Sequence, residues 1–160
     1  LPGPYDYRPR QVAFSADHAY ILTETGHGLL TFRYSPEDTG HLLVQEQSFD
    51  LTPADYVGKT TGACIKLSPN GKMLLCSVRR AHLLTIFKVA PDGTLSDESH
   101  LQLHGKCPRD FSFTPDGQFV LLCMQQTNSL ELYRVNYETN TLYDCRTLDG
   151  IPNSTCVKFL

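Results

Sequence analysis

Apolar positions along this chain fall in short runs and not in a helical stripe. In its first third the runs are "VAFS", "AYILTE", "GLLTFRYS" and "HLLVQEQSFD", separated or bounded by Gly, Pro, Asp or Asn. They are rich in β-branched, aromatic and leucine residues, which suit a pleated, half-buried surface. No segment sustains apolar positions at i, i+3, i+4 and i+7, so the pattern predicts an almost helix-free chain that is more than about 45% strand.

The runs repeat. Ser68-Pro69-Asn70-Gly71 lies over Thr114-Pro115-Asp116-Gly117 at an offset of 46, which sets "CIKLSPNGKMLL" over "DFSFTPDGQFVL". Another copy opens at Ser15-Ala16-Asp17-His18, 53 residues before Ser68, and a further one begins in "STCVKFL". Each complete copy holds four strand-like runs, and Pro-Asp-Gly is the tight turn between the first two, where Asp and Gly accept turn dihedrals. Four strands per about 45 residues is the signature of a propeller blade. The predicted fold is all-β: a β-propeller segment of three four-stranded antiparallel blades, at about 8–50, 62–105 and 107–150, plus one extra C-terminal strand over 155–160.

Composition narrows the partners. A chain of 160 residues with 41% hydrophobic content can bury a real core. A formal charge of −3 offers no basic patch, which argues against nucleic acid. No apolar run approaches the roughly 18 residues of a membrane span. Six cysteines stand singly with no C-x-x-C pair, which argues against a zinc or redox motif and suggests reduced thiols in the cytoplasm. His100 and His104 share a strand face but stand ~13 Å apart, too far for one ion. No metal and no cofactor is expected.

The strand directions select a face. In an antiparallel blade, the loop before the first strand and the loop after the second open on the same side. Arg10 and Arg109 precede first strands in "RPRQV" and "CPRDF", and Arg79 ends a second strand in "LLCSVRR". Three guanidinium groups from neighbouring blades are thereby directed to one rim. They suit an anion, because arginine stays charged and grips carboxylate or phosphate bidentately.

At these residues the chain resembles the lactonase family of seven-bladed propellers, which includes bacterial 6-phosphogluconolactonases and fungal carboxymuconate lactonising enzymes. The family's C-terminal half typically reads "GPRH", "AAEI…SPDGRFLYVSNRG" and "HPRDFAIDPTGRFLLVANQ", and ends near "PVCVKF". The matching pieces here are "RPRQ", "GACIKLSPNGKMLLCSVRR", "CPRDFSFTPDGQFVLLCMQ" and "STCVKFL". The resemblance implies a substrate-binding set of Arg10, Gln11, Arg79, Arg109 and Gln125, with Glu24 matching a family glutamate. It also exposes departures. Gln11 stands where the family has His, Cys64 where it has Glu, and Val78 where it has Asn. By the repeat, Gln11, Cys64, Asp110 and Cys156 are equivalent first-strand positions. A Gln amide moves no proton near neutral pH and Cys is a poor stand-in for a carboxylate, so no catalytic residue is assigned.

Two functions follow as expectations. One is a lactonase or muconate cycloisomerase acting on a small carboxylated or phosphorylated lactone or acid. The other is a catalytically inactive propeller that binds an anionic metabolite or a protein on the same face. In either case the missing blades are expected from upstream sequence or from self-association, since seven blades need roughly 320 residues and open sheet edges are rarely left exposed.

Overall fold

The computed structural model describes residues 8–26, 28–34, 37 and 42–159. Twelve strands cover about half the chain, and no helix occurs among the described residues. They form three antiparallel four-stranded sheets with consecutive strands adjacent. The first holds β1 (Pro9–Phe14), β2 (His18–Thr23), β3 (Leu29–Tyr34) and β4 (Leu43–Phe49). The second holds β5 (Gly62–Leu67), β6 (Met73–Val78), β7 (Leu83–Val89) and β8 (Leu95–Gln102). The third holds β9 (Pro108–Phe113), β10 (Phe119–Met124), β11 (Ser129–Asn136) and β12 (Thr141–Asp149). The chain is thus a propeller segment of three blades.

The Pro-Asp-Gly turn is built from its own side chains. Asp116 Oδ1 accepts the Thr114 hydroxyl at 2.6 Å and the Gln118 amide at 3.0 Å, which closes the hairpin. Gly117 sits at φ +70°, the left-handed region that a β-carbon disfavours.

The core lies between blades, because each sheet is apolar on both faces. Tyr20, Leu22 and Leu29 of the first blade pack with Ile65, Leu74, Cys76, Val78 and Phe87 of the second. Met73, Leu75, Leu84 and Ile86 of the second pack with Phe111, Val120, Leu122 and Met124 of the third. First strands sit innermost: β1 packs on β5 and β5 on β9. Outer strands are wet, and β4 is exposed along most of its length.

Polar groups complete these seams. Gln47 of β4 clamps the Leu95 backbone, donating to its carbonyl at 3.1 Å and accepting its amide at 3.0 Å. The Tyr20 hydroxyl donates to the Gly93 carbonyl at 2.8 Å. A β-carbon on Gly93 would stand 2.1 Å from His18 Nδ1, so this glycine also lets the two blades approach.

After β12 the chain returns to the inner rim, where the Val157 amide donates to Asp110 Oδ2 at 2.9 Å. Residues 155–159 have no ladder partner among the described residues. Leu160, the last residue of the expected extra strand, lies outside the described residues.

Candidate functional site

Backbone hydrogen bonds build the rim in register. The amides of Glu24, Arg79 and Gln125 donate to the carbonyls of Arg8, Thr61 and Cys107, at 2.7, 2.9 and 3.0 Å. Each bond joins the residue after a second strand to the lead-in of the first strand. Glu24, Arg79 and Gln125 are therefore equivalent rim positions, one per blade, and Arg10, Ala63 and Arg109 occupy a second equivalent set.

Arg79 Nη2 donates to Glu24 Oε1 across the seam between the first two blades. Arg10 Nη1 lies 4.0 Å from the same oxygen, while Arg10 Nε donates to the Ala63 carbonyl at 2.7 Å. The Arg79 hydrogen bond, aided by the charges of Arg79, Arg10 and Arg8, holds the Glu24 carboxyl below the usual carboxylate range despite partial desolvation. Burial, then the neighbouring charges of Arg79 and Arg109, lower the pKa of Arg10. Arg10 thus feels both other arginines, and Arg79 and Arg10 share the Glu24 carboxylate. Arg109 is half-buried and has no hydrogen bond or ion pair among the described residues. Arg79 Nε is buried without a partner.

The remaining expected residues do different work. Gln11 Oε1 accepts the Ile65 amide at 3.0 Å. Cys64 Sγ donates to the Phe111 carbonyl at 3.7 Å. With Asp110 and Val157, these contacts form one repeating device: each inner-strand side chain holds the backbone of the next inner strand, one residue beyond its own equivalent. Burial, with the Asp110 carboxylate adding, pushes the Cys64 thiol pKa well up, so it is no thiolate nucleophile. Gln125 Oε1 accepts the Cys107 thiol at 3.6 Å.

A cleft of about 490 Å³ opens on this rim, lined by Glu24, Thr61, Arg79, Arg80, His82, Cys107 and Gln126. Of the expected set it includes Arg79. Arg10 and Gln11 instead line a shallow groove with Pro9, Val12 and Phe14 at the open edge of the first blade. Arg109 lines neither. The lining residues not singled out from the sequence as site candidates are Thr61, Arg80, His82, Cys107 and Gln126. For two of them the signal lay in the repeat, which places His82 over Asn128 and Cys107 over Asn153. No group of three or more potential metal ligands occurs among the described residues.

Stacked four-stranded blades with arginines on the inner rim define a β-propeller segment. Residues 5–159 match the family described as "Lactonase, 7-bladed beta-propeller", and the chain belongs to that family. A 6-phosphogluconolactonase of Yersinia pestis is 34% identical over 136 residues, covering 84% of this chain and 40% of that protein. The 6-phosphogluconolactonase of Bacillus subtilis is 27% identical over 155 residues, covering 95% and 44%. Among solved structures, the periplasmic gluconolactonase of Pseudomonas aeruginosa superposes with a TM-score of 0.84 at 29% identity, over 96% of this chain and 43% of that one. A Lactobacillus plantarum protein gives 0.87 at 30% identity, over 95% and 45%. The chain spans less than half the length of these relatives.

Proposed function

We propose that this chain forms part of a lactone hydrolase acting on a sugar-acid lactone, with Arg10, Arg79 and Arg109 binding the substrate. The observation that carries the reading is the excess of cations over carboxylate at the inner rim: three arginines within electrostatic reach, one glutamate engaged by two of them, and Arg109 left unpaired. Gln11 and Gln125 contribute polar contacts at the rim's edge. Hydrolysis adds water across the ring ester: its oxygen joins the carbonyl carbon, the ring C–O bond breaks, and a proton passes to the released hydroxyl. A guanidinium near the carbonyl stabilises the oxyanion that forms on the way. Six free cysteines suit a reducing, cytoplasmic setting.

The relatives named 6-phosphogluconolactonase favour a phosphorylated gluconolactone over a muconate. So does the engagement of Gln11 and Cys64 with backbone, which leaves neither side chain for the proton transfer that closing a muconate requires. That same engagement favours a second reading, a propeller that binds such a ligand without turning it over.

The test uses the complete gene product. Wild type is expected to hydrolyse 6-phosphogluconolactone above the spontaneous rate and to bind 6-phosphogluconate. Arg109→Ala is expected to weaken that binding about tenfold or more, with a melting temperature close to wild type. Equal binding by the mutant overturns the arginine assignment. Binding without hydrolysis by wild type selects the second reading.

A further inference from the structure

His82 ends the turn between β6 and β7 at φ +55°, a conformation rare for a side chain of this size. The residue is held through both its backbone and its ring. The His82 carbonyl accepts the Leu103 amide at 3.0 Å and the Gln102 side chain at 2.9 Å. Its Nδ1 accepts the amide of Cys107, itself at φ +61°, at 3.1 Å. An Nδ1 that accepts carries no hydrogen, so in the neutral ring the hydrogen is on Nε2. Nε2 has no partner among the described residues, and His82 lines the cleft.

The next blade shows which part of this arrangement is scaffold. Asn128, at φ +54°, accepts the Asn153 amide at 3.0 Å through its side-chain oxygen, and Asn153 also has a positive φ. These are the repeat equivalents of His82 and Cys107. The latch therefore needs a left-handed residue with a short acceptor, and Asn supplies it. A histidine adds something the latch does not use: a donor N–H on the far side of the ring.

Two further residues lining the cleft carry donors without partners. Arg79 Nε is buried and unsatisfied, and the exposed Arg80 guanidinium makes no hydrogen bond or ion pair among the described residues. A buried unsatisfied donor is costly unless something meets it. We propose that Arg79, Arg80 and His82 form a phosphate-monoester subsite in which His82 Nε2–H is a donor whose direction the Nδ1 contact fixes. Three donor groups match the three free oxygens of such a phosphate, where a carboxylate offers two. The cleft's volume accommodates a phosphate and part of a sugar chain. This deepens the lactonase reading by assigning the substrate's distal phosphate to this cleft, leaving its ring end to Arg10 and Arg109.

The probe is inorganic phosphate, titrated into the complete gene product and followed by imidazole nitrogen NMR. The free protein is expected to show His82 as the Nε2–H tautomer, with that nitrogen shifting saturably as phosphate is added. His82→Asn, which keeps both the left-handed backbone and the acceptor, is expected to fold normally and to bind phosphate about five- to tenfold more weakly. An Nδ1–H tautomer, saturation that leaves His82 unmoved, or unchanged binding by His82→Asn overturns the inference. Phosphate binding at His82 in a protein that hydrolyses no lactone upholds the subsite and refutes the lactonase reading. Lactone hydrolysis with His82 indifferent to phosphate does the reverse.

Discussion

Gln11 Oε1 accepts the amide of Ile65 at 3.0 Å, so a side chain of the first blade closes the backbone of the second. Ile65 is almost fully buried. Gln11→Ala leaves a buried donor unmet and is expected to cost about 1–3 kcal/mol of stability. Denaturant unfolding measures it. A change within a few tenths of a kcal/mol would show that the contact contributes nothing to the seam.

Cys64 occupies the position where a carboxylate would stand in the resembled family, yet its thiol is buried and donates to the Phe111 carbonyl. Burial likewise raises the pKa of Cys76. Both are expected to escape alkylation by iodoacetamide at pH 8 in the native protein and to react once it is unfolded. Mass spectrometry reads the outcome, and native labelling of Cys64 would reinstate it as a candidate nucleophile.

His18 is buried with Asp17 at 3.0 Å from Nδ1 and Glu46 at 3.0 Å from Nε2. Burial opposes the charged ring, but the hydrogen bonds to the two carboxylates outweigh it and raise the pKa. Arg33, which also pairs with Glu46, and Asp92, whose carboxyl feels His18, complete the charged surroundings. A raised pKa contributes stability that is full below the unfolded value of about 6.5 and fades as pH rises through the folded one. The melting-temperature gap between wild type and His18→Asn is therefore expected to narrow from pH 6 to pH 8. His100, whose pKa burial lowers, acts in the opposite sense at acid pH, and the paired comparison removes it. A gap that widens with pH contradicts the assignment.

The open faces make a prediction about the isolated stretch. Val12, Phe14 and Leu43 of the first blade are 48%, 57% and 44% exposed, and Leu148 of the third is 58% exposed. Apolar faces beside unpaired strand edges favour association. The 160-residue chain alone is expected to self-associate at tens of micromolar, and light scattering that shows only monomer refutes this.

Blade number and strand order were legible because a strand buried on one or both faces writes its period directly into the chain, and Pro-Asp-Gly punctuates it. Arg79 at the rim was legible for the same reason, as a position after a second strand. The cleft was not. The repeat sets His82 over Asn128, but as residue types they look unrelated, and the left-handed turn and shared backbone acceptor role are seen only in the structure. Nor could a run of letters say that Gln11 and Cys64 point along the rim into the next strand's backbone, since that depends on how far one blade is rotated from its neighbour.

Five of these rim contacts have a direction. The side chains of Gln11, Cys64, His82, Asp110 and Asn128 each reach toward the later blade, and none of them toward the earlier one. The propeller segment is in this sense polar, with one flank offering side chains and the other offering main chain. Setting two like flanks together in a twofold, face-to-self pairing would reverse this direction at the junction. Blades that continue the direction add head to tail, and that arrangement either closes into a ring or grows without limit. The inner rim thus carries its own rule for symmetry, which the curvature of the blades then turns into closure.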